Sequence, residues 1–212
     1  MRVEFTGPAG KIEVIVDGGP RAGGDPAPKA AVVFAHPLPT EGGTMHTKAV
    51  FQGTKGLVRI GCAVLRFNFR GVGKSEGAFD AGRGEKEDFK AALDFMAARY
   101  PGVPLWAAGF SFGSYVALET GAVDPRVSVL IGLAPPVTRE NYDFSNTMVS
   151  EKAKFFIQGS EDELCPIEGL WAFYGKLPEP KELVVIDAAD HLFTGQTQEV
   201  GEALEDLLGD YE

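Results

Sequence analysis

Leu105-Trp106-Ala107-Ala108-Gly109-Phe110-Ser111-Phe112-Gly113-Ser114-Tyr115-Val116-Ala117-Leu118-Glu119 is the stretch whose reading decides the fold. It opens as a continuous apolar run, the pattern of a strand buried on both faces, and closes with helical spacing. Between the two, Gly109 and Gly113 frame Ser111 at two residues on either side. Glycines there let strand and helix pass close together while the serine projects from a tight, strained turn. The stretch therefore predicts a strand, a sharp turn and a helix, with an exposed hydroxyl at the carboxyl end of the strand.

Working outward, further apolar runs occupy residues 30–35, 63–69, 127–133, 153–158 and 182–186. Segments with helical spacing lie between and after them, at 48–59, 85–100, 114–122, 167–176 and 197–208. Strand–helix alternation of this kind predicts an α/β fold, a mostly parallel eight-stranded sheet with helices on both faces. Residues 2–5 and 11–17 alternate polar and apolar side chains, which predicts an antiparallel N-terminal edge. Asp17 to Lys29, with four glycines and three prolines, reads as a surface loop. No internal repeat or linker interrupts the chain, so residues 1–212 are expected to form one domain.

Composition narrows the function classes. The chain has 212 residues, 44% of them hydrophobic, and 20 basic against 30 acidic side chains, a net charge of −10. An acidic chain without a basic stripe is not expected to bind nucleic acid or an anionic membrane. No run of about 18 apolar residues is present, and the N-terminus lacks a signal-peptide pattern. The two cysteines, Cys62 and Cys165, read as free thiols of a reducing compartment, which predicts a cytoplasmic protein. These features allow a homodimer.

Glycine-rich chains match G-x-S-x-G by chance, and a second copy stands at Gly73-Lys74-Ser75-Glu76-Gly77. Ser75 is followed by Gly77, Gly82 and Gly84 before any helical run, so it is expected in a loop. The same stretch mimics the end of a phosphate-binding loop, but the glycine required five positions before Gly73 is Asn68. Context selects Ser111.

A serine hydroxyl needs a base, and the base an orienting acid. Of the three histidines, His36, His46 and His191, only His191 follows Ser111, just after the last apolar run. The acid is assigned to Asp162, after the preceding run and its Gly159 turn, with Asp187 and Asp190 as alternatives. An oxyanion would need two N–H donors. Phe112 supplies one at the start of the following helix. In Pro37-Leu38-Pro39 only Leu38 has an N–H to offer. His36 is expected to buttress that loop. Neither His36 with His46 nor any acid set has the short spacing of a zinc site, so no metal and no cofactor are expected.

Together the His36-Pro37-Leu38-Pro39 loop, the Asn68-Phe69-Arg70-Gly71-Val72-Gly73-Lys74-Ser75 loop, the Ser111 turn, Asp162 before Pro166, and His191 resemble the α/β-hydrolase fold superfamily. The resemblance covers essentially the whole chain. Within the superfamily the chain is similar to small bacterial hydrolases related to dienelactone hydrolases, including carboxylesterases of about this length. The resemblance implies Ser111 as nucleophile, Asp162 as acid, His191 as base, and Leu38 and Phe112 as oxyanion donors. Dienelactone hydrolases proper carry cysteine at the elbow; Ser111 favours ordinary ester cleavage.

Many members insert a helical lid after the strand that follows the nucleophile helix. Only about 16 residues separate the runs here, within ordinary loop lengths, so no substantial lid is expected. A pocket walled by His36, His46, Tyr142, Phe144, Trp171 and Phe193 would suit a small or medium soluble ester or thioester. A peptidase or acyltransferase would use the same three residues, and a non-catalytic binding protein could keep the scaffold.

Overall fold

The computed structural model describes residues 2–19 and 27–211. Residues 20–26, most of the glycine- and proline-rich loop expected after Asp17, lie outside the described residues.

Strands β1 (Arg2–Gly7) and β2 (Gly10–Gly18) form the antiparallel edge, and β2 runs antiparallel to β4 (Ala63–Phe67). The remaining strands, β3 (Ala31–Ala35), β5 (Leu105–Phe110), β6 (Val127–Leu133), β7 (Ala153–Gly159) and β8 (Lys181–Ile186), run parallel to β4 and to each other. Strand order across the eight-stranded sheet is β1-β2-β4-β3-β5-β6-β7-β8. β3 and β5 are neighbours whose outgoing chains turn to opposite sides of the sheet. Their carboxyl ends therefore diverge and leave a crevice, the place where ligands bind in open parallel sheets.

Helices cover both faces. α1 (Lys48–Arg59) and α6 (Thr197–Leu208) pack on one, over Val32, Phe34, Val64 and Trp106. α2 (Arg83–Arg99), α3 (Phe112–Val123) and α5 (Ile167–Tyr174) cover the other, over Ala31, Val33, Leu65 and Ala107. Successive side chains of one strand serve the two cores alternately, so every residue of β3, β4 and β5 is buried. That double burial is why these strands read as unbroken apolar runs rather than as alternation.

Most boundaries shift from the expected ones by a residue or two, and two of the shifts have identifiable reasons. β4 stops at Phe67, although Phe69 is still fully buried, because the chain turns there into the loop that follows. α2 begins at Arg83 rather than Glu85, because the buried Glu85 carboxylate reaches back to accept the N–H groups of Asp80 (2.9 Å) and Gly82 (2.7 Å). Satisfying those orphan donors starts the helix earlier than side-chain periodicity alone suggests. The connection after β6 contains only α4 (Ser145–Val149), a helix of five residues. Among the described residues, no helix is long and apolar enough to cross a membrane.

Candidate active site

Ser111 sits between β5 and α3 with φ 53° and ψ −122°, a conformation that costs a non-glycine residue energy. The surroundings hold it there. Its N–H donates to the Leu133 carbonyl of β6 at 2.8 Å, and its carbonyl accepts the Ser114 N–H (2.8 Å) and hydroxyl (2.6 Å). Both flanking glycines are required by close approach: a Cβ at Gly109 would meet the Gly113 carbonyl, and one at Gly113 would meet the carbonyls of Ala35 and His36 on β3 and its loop.

The turn aims Ser111 Oγ at His191, 2.9 Å from Nε2. On the other side of the ring, His191 Nδ1 lies 2.8 Å from Asp162 Oδ2. Asp162 is buried in the loop after β7, where its other oxygen accepts the N–H groups of Leu164 (2.9 Å) and Cys165 (2.8 Å). A carboxylate cannot donate, so Nδ1 carries the hydrogen and Nε2 presents its lone pair to the serine hydroxyl. Asp187 and Asp190 take other partners. Asp187 Oδ1 accepts from Ser160 Oγ at 3.4 Å, and Asp190 Oδ1 accepts the Thr194 N–H at 2.8 Å. Bonding to Thr194 also holds the Asp190 carboxyl below its ordinary range.

Leu38 and Phe112 both line the same cleft as Ser111 and His191. Phe112 is the first residue of α3, where a backbone N–H has no helical acceptor. Among the described residues neither the Leu38 nor the Phe112 N–H donates to a protein atom, while the Leu38 carbonyl accepts from Glu41 (3.1 Å) and Gly43 (3.0 Å) and so fixes its loop.

The cleft measures about 570 Å³. Pro37, Leu38, Phe112, Pro136, Leu164 and Leu192 make its walls mainly apolar, and Glu41, Arg139, Asn141 and Tyr142 add polar groups. Of the side chains expected to wall a pocket, Tyr142 is there and the other five are not. Phe144 is buried edge-on between Tyr115 and Phe173, and Phe193 is buried against Phe110. Trp171 points outward from α5, 54% exposed, and His46 is exposed near Glu13. Aromatic character alone marked these positions, and packing assigned them to core or surface instead. Glu41, Arg139 and Leu192 carried no sequence signal, because loop residues are brought together only by the fold.

His36 is fully buried behind the cleft and joins two loops. Its Nδ1 lies 2.7 Å from the Pro37 carbonyl, and its Nε2 accepts the Phe69 N–H at 3.1 Å. Burial pushes its pKa down from 6.5 to about 4, so the ring is neutral at pH 7. The unfolded chain takes up a proton that folded His36 refuses, so stability falls as pH drops below 6.5 and levels off near 4. Between pH 7 and pH 5 this amounts to about 2 kcal/mol. In urea titrations, the stability gap between wild type and His36→Gln is expected to narrow by that amount; a constant gap would contradict the assignment.

Ser75 is a structural serine. Its hydroxyl donates to the Asn68 carbonyl (2.6 Å) and accepts the Glu13 N–H (3.0 Å), tying the loop after β4 to β2. Ser75→Ala is expected to cost about 1–2 kcal/mol of stability by leaving both groups unpaired. Covalent labelling of Ser111 by a fluorophosphonate should be unaffected, which intact-mass analysis of the labelled variant would check.

Burial pushes the thiols of Cys62 and Cys165 up to about 12, so both remain protonated and neither is a nucleophile at neutral pH. Asp162, Cys165 and His191 offer metal-binding atoms within 4.8 Å of one another. Two of these groups, Asp162 Oδ2 and His191 Nδ1, already bond each other at 2.8 Å.

The family described as "Serine aminopeptidase, S33" matches residues 26–156, more than half of the chain. The chain belongs to this family. It is a serine hydrolase of the α/β-hydrolase superfamily. It is similar to the uncharacterized protein RP471 of Rickettsia prowazekii, with 35% identity over 98% of this chain and 88% of that one. It is also similar to the solved structure of an α/β serine hydrolase homologue from Coxiella burnetii, with a TM-score of 0.89 and 37% identity over 98% and 97% of the two chains. A third likeness is XC6422 of Xanthomonas campestris, a serine hydrolase without a lid, with a TM-score of 0.87 and 35% identity over 97% and 92%. The short connection carrying α4 agrees with that lidless architecture.

Proposed function

We propose that this hydrolase cleaves small to medium soluble carboxylic esters or thioesters through an acyl-enzyme intermediate. The observation that carries the reading is the unbroken hydrogen-bonded series from Ser111 Oγ through His191 to Asp162, opening into a mainly apolar cleft. Ser111 Oγ attacks the carbonyl carbon as His191 Nε2 takes its proton, and Asp162 stabilises the imidazolium that results. The N–H groups of Leu38 and Phe112 receive the oxyanion, the latter at the positive end of α3. His191 Nε2–H then protonates the leaving oxygen or sulfur as its bond to carbon breaks. In the second half, His191 takes a proton from water, whose oxygen attacks the acyl carbon; return of the proton to Ser111 releases the acid.

A panel of p-nitrophenyl esters and acyl thioesters of increasing acyl length tests the substrate class. Turnover is expected to be best for short and medium chains, in solution and without an interface, because only short loops surround the cleft. A strict requirement for long chains or for micelles would overturn it. Aminopeptidase action is a second reading, favoured by the family's description and by Glu41, whose carboxylate on the cleft wall could receive an amino terminus. Aminoacyl p-nitroanilides cleaved faster than the esters would select that reading.

A further inference from the structure

The geometry points to Gln158 as a positioning residue for Asp162, an assignment that rests on the hydrolase reading above. Gln158 is the penultimate residue of β7 and is fully buried. Its Nε2 donates to Asp162 Oδ2 at 2.9 Å and to the Cys165 carbonyl at 2.7 Å. Both neighbours can only accept, so the amide has one workable orientation, nitrogen inward. The other half of the amide goes unused: Oε1 is buried and finds no donor among the described residues. A buried carbonyl without a partner is costly, and methionine would fill similar space without that cost. The NH2 group is therefore what the position requires.

Its two bonds act on one loop. Asp162 Oδ2 is the oxygen that also faces His191, whereas Oδ1 is held by the N–H groups of Leu164 and Cys165. Backbone donors alone would leave the carboxylate free to swing about its Oδ1 end. Gln158 fixes the second oxygen and ties the Cys165 carbonyl to it, so a lone pair stays aligned with His191 Nδ1. The other titratable groups acting on this cluster are Cys165 in the same loop, Asp190 beside His191, and Arg139 and Tyr142 from the segment after β6.

The test compares Gln158→Met and Gln158→Glu with wild type, counting active sites by fluorophosphonate titration. For Gln158→Met, kcat per titrated site is expected to fall roughly 10-fold with KM little changed. The His191 Nδ1–H proton resonance of the free protein, followed by NMR, should move or broaden, because the Asp162 oxygen it bonds is no longer held in place. Gln158→Glu can donate only while its carboxyl is protonated. Burial beside the Asp162 carboxylate favours the protonated form, so kcat should fall away at high pH, where wild-type activity stays level.

A Met variant with wild-type kcat per site and an unchanged His191 Nδ1–H resonance overturns the proposal. So does a Glu variant with the wild-type pH profile, which serves as the test if the Met variant does not fold. The NMR measurement needs no substrate, so failure of the hydrolase reading, with neither turnover nor labelling of wild-type Ser111, would be seen separately.

Discussion

Ser111→Ala is expected to reduce kcat on a small p-nitrophenyl ester by roughly five to six orders of magnitude. The hydroxyl is the group that bonds to carbon in the proposed reaction, and no other nucleophile can replace it. Cys165 lines the same cleft, but burial keeps its thiol protonated, with a pKa pushed up to about 12. Ser75 is engaged at both its donor and acceptor positions and is held against β2. A residual rate above that in water should survive, because the Leu38 and Phe112 N–H groups and the cleft remain. The variant should bind an ester with little change in affinity and should fail to react with a fluorophosphonate. Wild-type turnover and labelling in Ser111→Ala would sink the assignment outright.

Asp162→Asn carries the second large effect, a loss of about four orders of magnitude in kcat. The geometry dictates how the loss arises. Leu164 and Cys165 N–H groups both point at Oδ1, so the asparagine oxygen must take that position and its NH2 the position of Oδ2. That NH2 would face both the Gln158 amide nitrogen and His191 Nδ1. To avoid a clash of donors, His191 must move its hydrogen to Nε2, and the ring can then no longer accept the Ser111 proton. Asp187→Asn and Asp190→Asn should stay within about threefold of wild type, because both side chains are occupied at the surface. Equal losses in all three variants would show that loop integrity, not the orientation of His191, is being measured.

Much of this site could be read from the chain because its parts obey local rules. β3 to β7 announce themselves as apolar runs since side chains on both faces of each strand are buried. Ser111 is marked by glycines that sterics demand at 109 and 113, whatever the rest of the sequence holds. His191 and Asp162 follow from strand order, since a parallel sheet delivers every loop after a strand to the same end. Ser75 shows the limit of such reading: its motif is the same as that of Ser111, and only the helix that follows Ser111 separates them.

Position along the chain thus determined the sheet, its antiparallel edge and the three residues that meet at the carboxyl ends of β5, β7 and β8. Which way a side chain faces was decided by packing. Phe144, Phe193 and Trp171 are indistinguishable from Tyr142 as aromatic residues near the site, yet two are core and one is surface. Each aromatic side chain goes where the rotation of its helix or loop against the sheet sends it, and that rotation depends on every neighbour at once. Gln158 was invisible for the same reason. In the chain it is one more residue at the end of an apolar run. In the folded protein it is the donor that holds Asp162 toward His191, because tertiary structure alone brings a β7 side chain, a turn and a distant histidine within hydrogen-bonding reach of one carboxylate.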